Sequence, residues 1–104
     1  MAAIGAAVYN QRMRFNGLPG ADLIEKGLHD LAAGRETIEA ALVAVGAPRL
    51  RAAGIAVPHS PFVVAEHRLW ELLAAEGEDA AHGRYNALLR RLVSFERALE
   101  CAAS

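Results

Sequence analysis

Residues 85–102 read YNALLRRLVSFERALECA, and the spacing of their apolar members decides the fold class. With Ala81 included, Tyr85, Leu88, Leu92, Phe95, Leu99 and Ala102 alternate by four and three, the a/d rhythm of a helix that packs along one edge. Leu89 widens the stripe, and a wide stripe suits the core of a globular bundle better than an isolated two-stranded coil. Asp79, with Glu78 beside it, is a plausible N-terminal cap. A helix from there to Ala102 holds about 24 residues and spans ~36 Å.

Upstream of it the same periodicity predicts shorter helices. From Ala21, residues Ile24, Leu28 and Leu31 share a face, Glu25, Lys26, His29 and Asp30 lie opposite, and Gly34 is a stop. A second helix has Ile38, Ala41, Leu42 and Val45 as its stripe, Glu36 and Glu39 at its positive end, and Gly46 closing it. The stretch APRLRAAG offers Pro48 for a first turn and Gly54 for an end, which predicts a short connecting helix. IAVPHSP, with Pro58 and Pro61, reads as an irregular crossing segment. Helix resumes near Glu66 and runs to Glu76, gathering Leu69, Leu72 and Leu73 with Trp70 at the margin, until Gly77 ends it. QRMRFNGLPG carries Asn-Gly and Pro-Gly turn pairs. The expectation is therefore an all-α small helical bundle of four main helices plus a short connecting helix, with a long C-terminal helix. Residues 1–20 form an N-terminal arm and loop, and 21–104 a single helical domain.

Composition narrows the function classes. At 104 residues the chain can bury one modest core without staples. A net charge of −1 argues against a general polyanion binder, although a local basic stripe survives in a neutral total. All but one of the 11 basic residues are Arg, Lys26 being the exception, and with the abundance of Ala this points to a GC-rich, bacterial genome. The single cysteine, Cys101, cannot form an internal disulfide, so a reducing compartment, the cytoplasm, is expected. MAAIGAAVY lacks a leading positive region, which is the wrong order for a secretory signal; Arg12 and Arg14 in an acid-free opening keep an organellar transit segment as the alternative. No stretch nears the ~20 apolar residues of a membrane span, so no membrane partner is expected.

The length of the last helix raises the question of what covers it. One short helix cannot; either two are stacked end to end along it, the first helical pair being available for that, or a second copy shelters the remainder. A homodimer is the expectation, with Tyr85, Leu88, Leu92, Phe95 and Leu99 as the self-association residues. Arg84, Arg90, Arg91 and Arg97 lie on one flank of this seam and Glu96 and Glu100 on the other, with Arg91 and Glu96 in the register that pairs across a parallel dimer. The function that follows is a small protein-protein interaction or regulatory module that self-associates through its C-terminal helix. An unidentified protein partner is the alternative to a second copy, and no cofactor is expected.

Two other readings start from particular residues. Arg84, Arg90, Arg91 and Arg97 form a stripe able to track phosphates of a nucleic acid, with Tyr85 placed to stack. TIEAALVAVGAPRLRAAG has the outline of helix, glycine turn, helix, in which Arg49 and Arg51 would point into a nucleic-acid groove. Around Gly77, His67 precedes Glu71 by four and Glu78 precedes His82 by four, and residues so spaced share a helical face. If the flanking helices fold back, His67, Glu71, Glu78 and His82 converge on a metal site or an acid/base site. No phosphate-cradling glycine motif, cysteine pair or nucleophile elbow occurs.

Overall fold

The computed structural model describes Phe15 and residues 17–103. Among these the chain forms four helices and no strand: α1 (Ala21–Ala32), α2 (Ile38–Ala52), α3 (Ala65–Glu76) and α4 (Glu78–Ala103). Of the arm and loop expected over residues 1–20, residues 1–14 and 16 lie outside the described residues, and Phe15 with Gly17–Gly20 makes two tight turns into α1. The molecule measures 38 × 30 × 19 Å. Its longest dimension is the length of α4, since 26 residues rise about 39 Å. Its thinnest is about two helix diameters, with α2 and α3 against α4 and α1 against α2.

α1 and α2 end by the same device. Gly34 (φ 74°) and Gly54 (φ 93°) take the left-handed conformation. The next N–H groups then turn back, Arg35 to the Asp30 carbonyl at 2.8 Å and Ile55 to that of Leu50 at 3.0 Å. The start of α2 is capped by Thr37, whose hydroxyl accepts from the Ala40 N–H at 3.1 Å.

The break expected at Gly46 does not occur, and the short connecting helix is the second half of α2. Gly46 stays helical and buried because α4 passes directly over it: a Cβ there would stand 2.9 Å from Leu92 Cδ1 and 2.9 Å from the Glu96 carboxylate. Pro48, exposed on the far side, lacks an N–H and leaves the Ala44 carbonyl without its usual helical donor. Burial of Leu42, Val43, Ala47 and Leu50, each at most 5% exposed, carries the helix through that defect. The helix-turn-helix outline disappears with the break.

Two helices share the cover of the α4 seam, but they are α3 and α2 in place of the first helical pair, α1 and α2, and they pack on each other as well as on α4. α3 folds back about Gly77 along the first half of α4, where Trp70 meets His82 and Tyr85 edge-on and Arg84 bonds Glu76 at 2.7 Å. α2 covers the second half, from Gly46 over Leu92 to Arg49 beside Glu96 and Glu100. α1 packs on α2, and Phe15, ahead of it, meets Phe95 edge-to-face with centroids 5.0 Å apart. Phe15, Ile24, Leu28, Leu42, Leu50, Leu69, Leu73 and Phe95 are all fully buried, which makes one continuous core.

Candidate functional site

The seam does not offer its whole length to a second copy. Leu92, Phe95 and Leu99 are 4%, 0% and 2% exposed within a single chain. α2 supplies the cover that a dimer would otherwise have to provide. Tyr85 and Leu88 remain half-buried, and Leu88 leads to a groove on the surface.

The groove has a volume of about 660 Å³, and every helix contributes to it. Leu23 comes from α1, Ile38 from α2, Leu72 from α3, and Ala87 and Leu88 from α4; all five are half-buried. They are the apolar residues that sit just off the core-facing centre of each helix, so where the four helices meet their edges form a shared floor. The rim is charged: Glu36, Glu39 and Glu76 stand with Arg84 and Arg91. Each rim acid has a cation, Glu36 with Arg68 at 3.2 Å, Glu39 with Lys26 at 3.4 Å and Glu76 with Arg84 at 2.7 Å. Arg91 has no ion pair among the described residues and is exposed.

A second hollow, of about 400 Å³, adjoins the groove and shares Glu36 with it. It is lined by Pro61, Phe62, Val63, Val64, His67, Arg68 and Glu71. Here the chain presents aliphatic side chains to water: Val63 is 99% exposed and Val64 54%. Trp70, at 36%, is the other large apolar side chain exposed among the described residues.

The His/Glu constellation does not assemble. The α3 face turned to the core is that of Leu69 and Leu73, which puts His67 and Glu71 on the opposite, solvent side, 3.7 Å from each other. Glu71 is drawn to Arg68 at 3.6 Å, while His82 lies against Trp70 and bonds Asn86 at 3.2 Å. Trp70 occupies the place in the hairpin that the four-residue spacing assigns to the carboxylate. Among the described residues no three His, Cys, Asp or Glu side chains are grouped to hold a metal ion.

The arginine stripe divides. Arg84 is held by Glu76 and, like Arg91, borders the groove. Arg90 and Arg97 line a different hollow with Asn86, Leu89, Val93 and Ser94. Tyr85 packs on Trp70 with ring centroids 6.0 Å apart and is only partly open for stacking. Glu96 is buried under α2 and engaged by Arg49 at 3.4 Å, which removes the Arg91–Glu96 dimer register. Of the arginines in the helix-turn-helix outline, Arg49 forks onto Glu100 at 2.7 and 2.8 Å, and Arg51 donates to the Val57 carbonyl at 3.1 Å.

The groove is invisible in the sequence because its floor is shared among four helices, and no local pattern records which helix edges meet. Val63 and Val64 do carry a signal: four consecutive nonpolar residues, PFVV, precede α3 in a segment too short to be a core element. No helix among the described residues is long and apolar enough to cross a membrane. Compared with protein-family models, with curated proteins and with solved structures, the chain matches none.

Proposed function

We propose that the protein is an interaction module that receives an apolar protein segment in the groove where its four helices meet. One observation carries this reading: Leu23, Ile38, Leu72, Ala87 and Leu88 line a single depression instead of being closed over by the chain's own helices. Its volume is that of a ligand site, and its apolar floor with a charged rim has the composition of a contact surface. Self-association through α4 alone, as the seam suggested, would have to use Tyr85 and Leu88, because the other three residues are inside the core. We place the module in the cytoplasm, where the exposed Cys101 persists as a thiol.

Site-specific photo-cross-linking tests the proposal. A photoreactive residue at Ala87, on the groove floor, is compared with one at Ala75, on the exposed side of α3, in cells that naturally produce the protein. A discrete protein adduct from position 87 and none from position 75 is expected. Equal labelling, or no adduct from 87, removes the reading.

A second reading rests on the absence of acids from α4 between Gly83 and Phe95, where Arg84, Arg90 and Arg91 stand. With Arg97 these could contact the phosphates of a nucleic acid. Oligonucleotide binding should then weaken with salt, and Arg90→Ala with Arg91→Ala should reduce the log–log slope by about 2. Absence of binding at low salt eliminates it.

A further inference from the structure

We infer that the groove is filled by a second copy of this chain, Val63 and Val64 of each molecule entering the groove of the other. The inference rests on the groove being a protein contact site, as proposed above, and adds what occupies it.

Three observations lead there. Val63 is a fully exposed aliphatic side chain beside a half-exposed Val64, and solvent offers neither any stabilisation. An apolar groove with no cover among the described residues lies on the other side of Glu36, which borders both the groove and the hollow beneath Val63. Projection and depression thus stand side by side on one face. A twofold rotation about an axis near Glu36 puts each projection into the other copy's depression and closes the assembly at two. The third observation is charge. Glu66, in the first turn of α3 two residues after Val64, is exposed with no ion pair among the described residues, and Arg91 on the groove rim is its counterpart. Once Val64 of one copy is seated, its Glu66 arrives at the rim that carries Arg91 of the other. The twofold makes this pair twice.

Two valines and one charge pair from each side form a small contact. Association in the weak, reversible class is expected, with dissociation in the micromolar range.

Sedimentation equilibrium of the full chain, from low micromolar to millimolar concentration, is the test. Wild type should shift from monomer to dimer and stop there. Val63→Asp alters a side chain already in water, so the monomer keeps its fold by circular dichroism, and the dissociation constant should rise at least about tenfold. Glu66→Arg or Arg91→Glu alone should weaken the dimer about tenfold, and the two changes together should restore it to near wild type. A chain that stays monomeric to millimolar concentration overturns the inference, as does a dimer indifferent to Val63→Asp or a charge swap without rescue. Growth past the dimer also overturns it, because it requires a contact that does not close. The cross-linker at Ala87 separates this failure from that of the groove itself. An adduct with a different protein from a monomeric chain leaves the groove a contact site and removes the second copy; no adduct and no dimer remove both.

Discussion

α2 is crossed twice at close range, by α1 at Gly27 and by α4 at Gly46, and each crossing sets a carboxylate almost out of reach of water. Asp30 is 3% exposed and Glu96 5%. Beyond that the two sites differ. Asp30 receives the Thr37 hydroxyl at 2.6 Å and the Lys26 ammonium at 2.7 Å, with Arg35 3.5 Å away. Burial pushes its pKa up, but the hydrogen bonds from Lys26 and Thr37 outweigh that and hold it below the usual carboxylate range. Glu96 has Arg49 at 3.4 Å, and Arg49 directs its shorter bonds to Glu100. Burial therefore wins at Glu96 and raises its pKa against the pull of Arg49, with repulsion from Glu100 adding to the rise. Both carboxylates are nearly closed to water, yet they shift in opposite directions: Glu96 lies deeper in the protein with one distant donor, while Asp30 has several close ones.

The glycines differ in the same sense. At Gly27 a Cβ would stand 2.3 Å from Val43 Cγ2 and 2.4 Å from the Glu39 carbonyl oxygen, and backbone cannot step aside. At Gly46 the obstructing atoms are the ends of the Leu92 and Glu96 side chains, which can. Gly27→Ala should be the most damaging single substitution at either crossing, costing about 3 kcal/mol through separation of α1 from α2, read as a lower urea midpoint at constant slope. Asp30→Ala follows at about 2 kcal/mol, because the Thr37 hydroxyl and the Lys26 ammonium lose a buried acceptor and the cap of α2 loses its support. Gly46→Ala should stay within about 1 kcal/mol of wild type, since local overpacking is offset by the better helix propensity of Ala. A Gly46→Ala protein as unstable as Gly27→Ala would mean that the α4 crossing is as rigid as the α1 crossing and would erase the contrast.

Much of this architecture is legible in the sequence because it is periodic. The stripes of α1, α3 and α4, and the stops at Gly34, Gly54 and Gly77, can be read one helix at a time. Gly46 cannot be separated from those stops, because a glycine that ends a helix and one that admits a neighbouring helix look alike until the neighbour is known. Pro48 reinforces the error, since its cost is local while the burial of Leu50 that overrides it comes from the rest of the core. The length of α4 shows that more than one helix must cover its seam, but which helices do so depends on the reversal at Gly77 and on the unbroken run of α2. The candidate site is less legible still. Leu72 and Leu88 belong to recognisable stripes, whereas Leu23 and Ile38 join them only through tertiary contact.

The smallest effect, and the most direct probe of the contrast between the carboxylates, is the pH dependence of Glu96→Gln. A carboxyl whose pKa is raised on folding binds its proton more tightly in the native state. Its contribution is full below the ordinary value of 4.5 and is lost as pH rises through the raised one. Gln removes that loss, so the variant should gain on wild type between acid and neutral pH, by less than about 1 kcal/mol. Asp30 acts in the opposite direction: its pKa is lowered, so its contribution is full above the ordinary value of 3.8 and is lost as pH falls through the lowered one. Both proteins keep Asp30, so it cancels when their thermal midpoints are subtracted at each pH. Glu100 does not cancel as cleanly because it shares Arg49 with Glu96, and the subtraction is therefore repeated in a Glu100→Gln background. If Glu96→Gln instead loses ground to wild type as pH rises, the ionised Glu96–Arg49 pair is net favourable despite its length. Donor number would then not be what separates the two crossings.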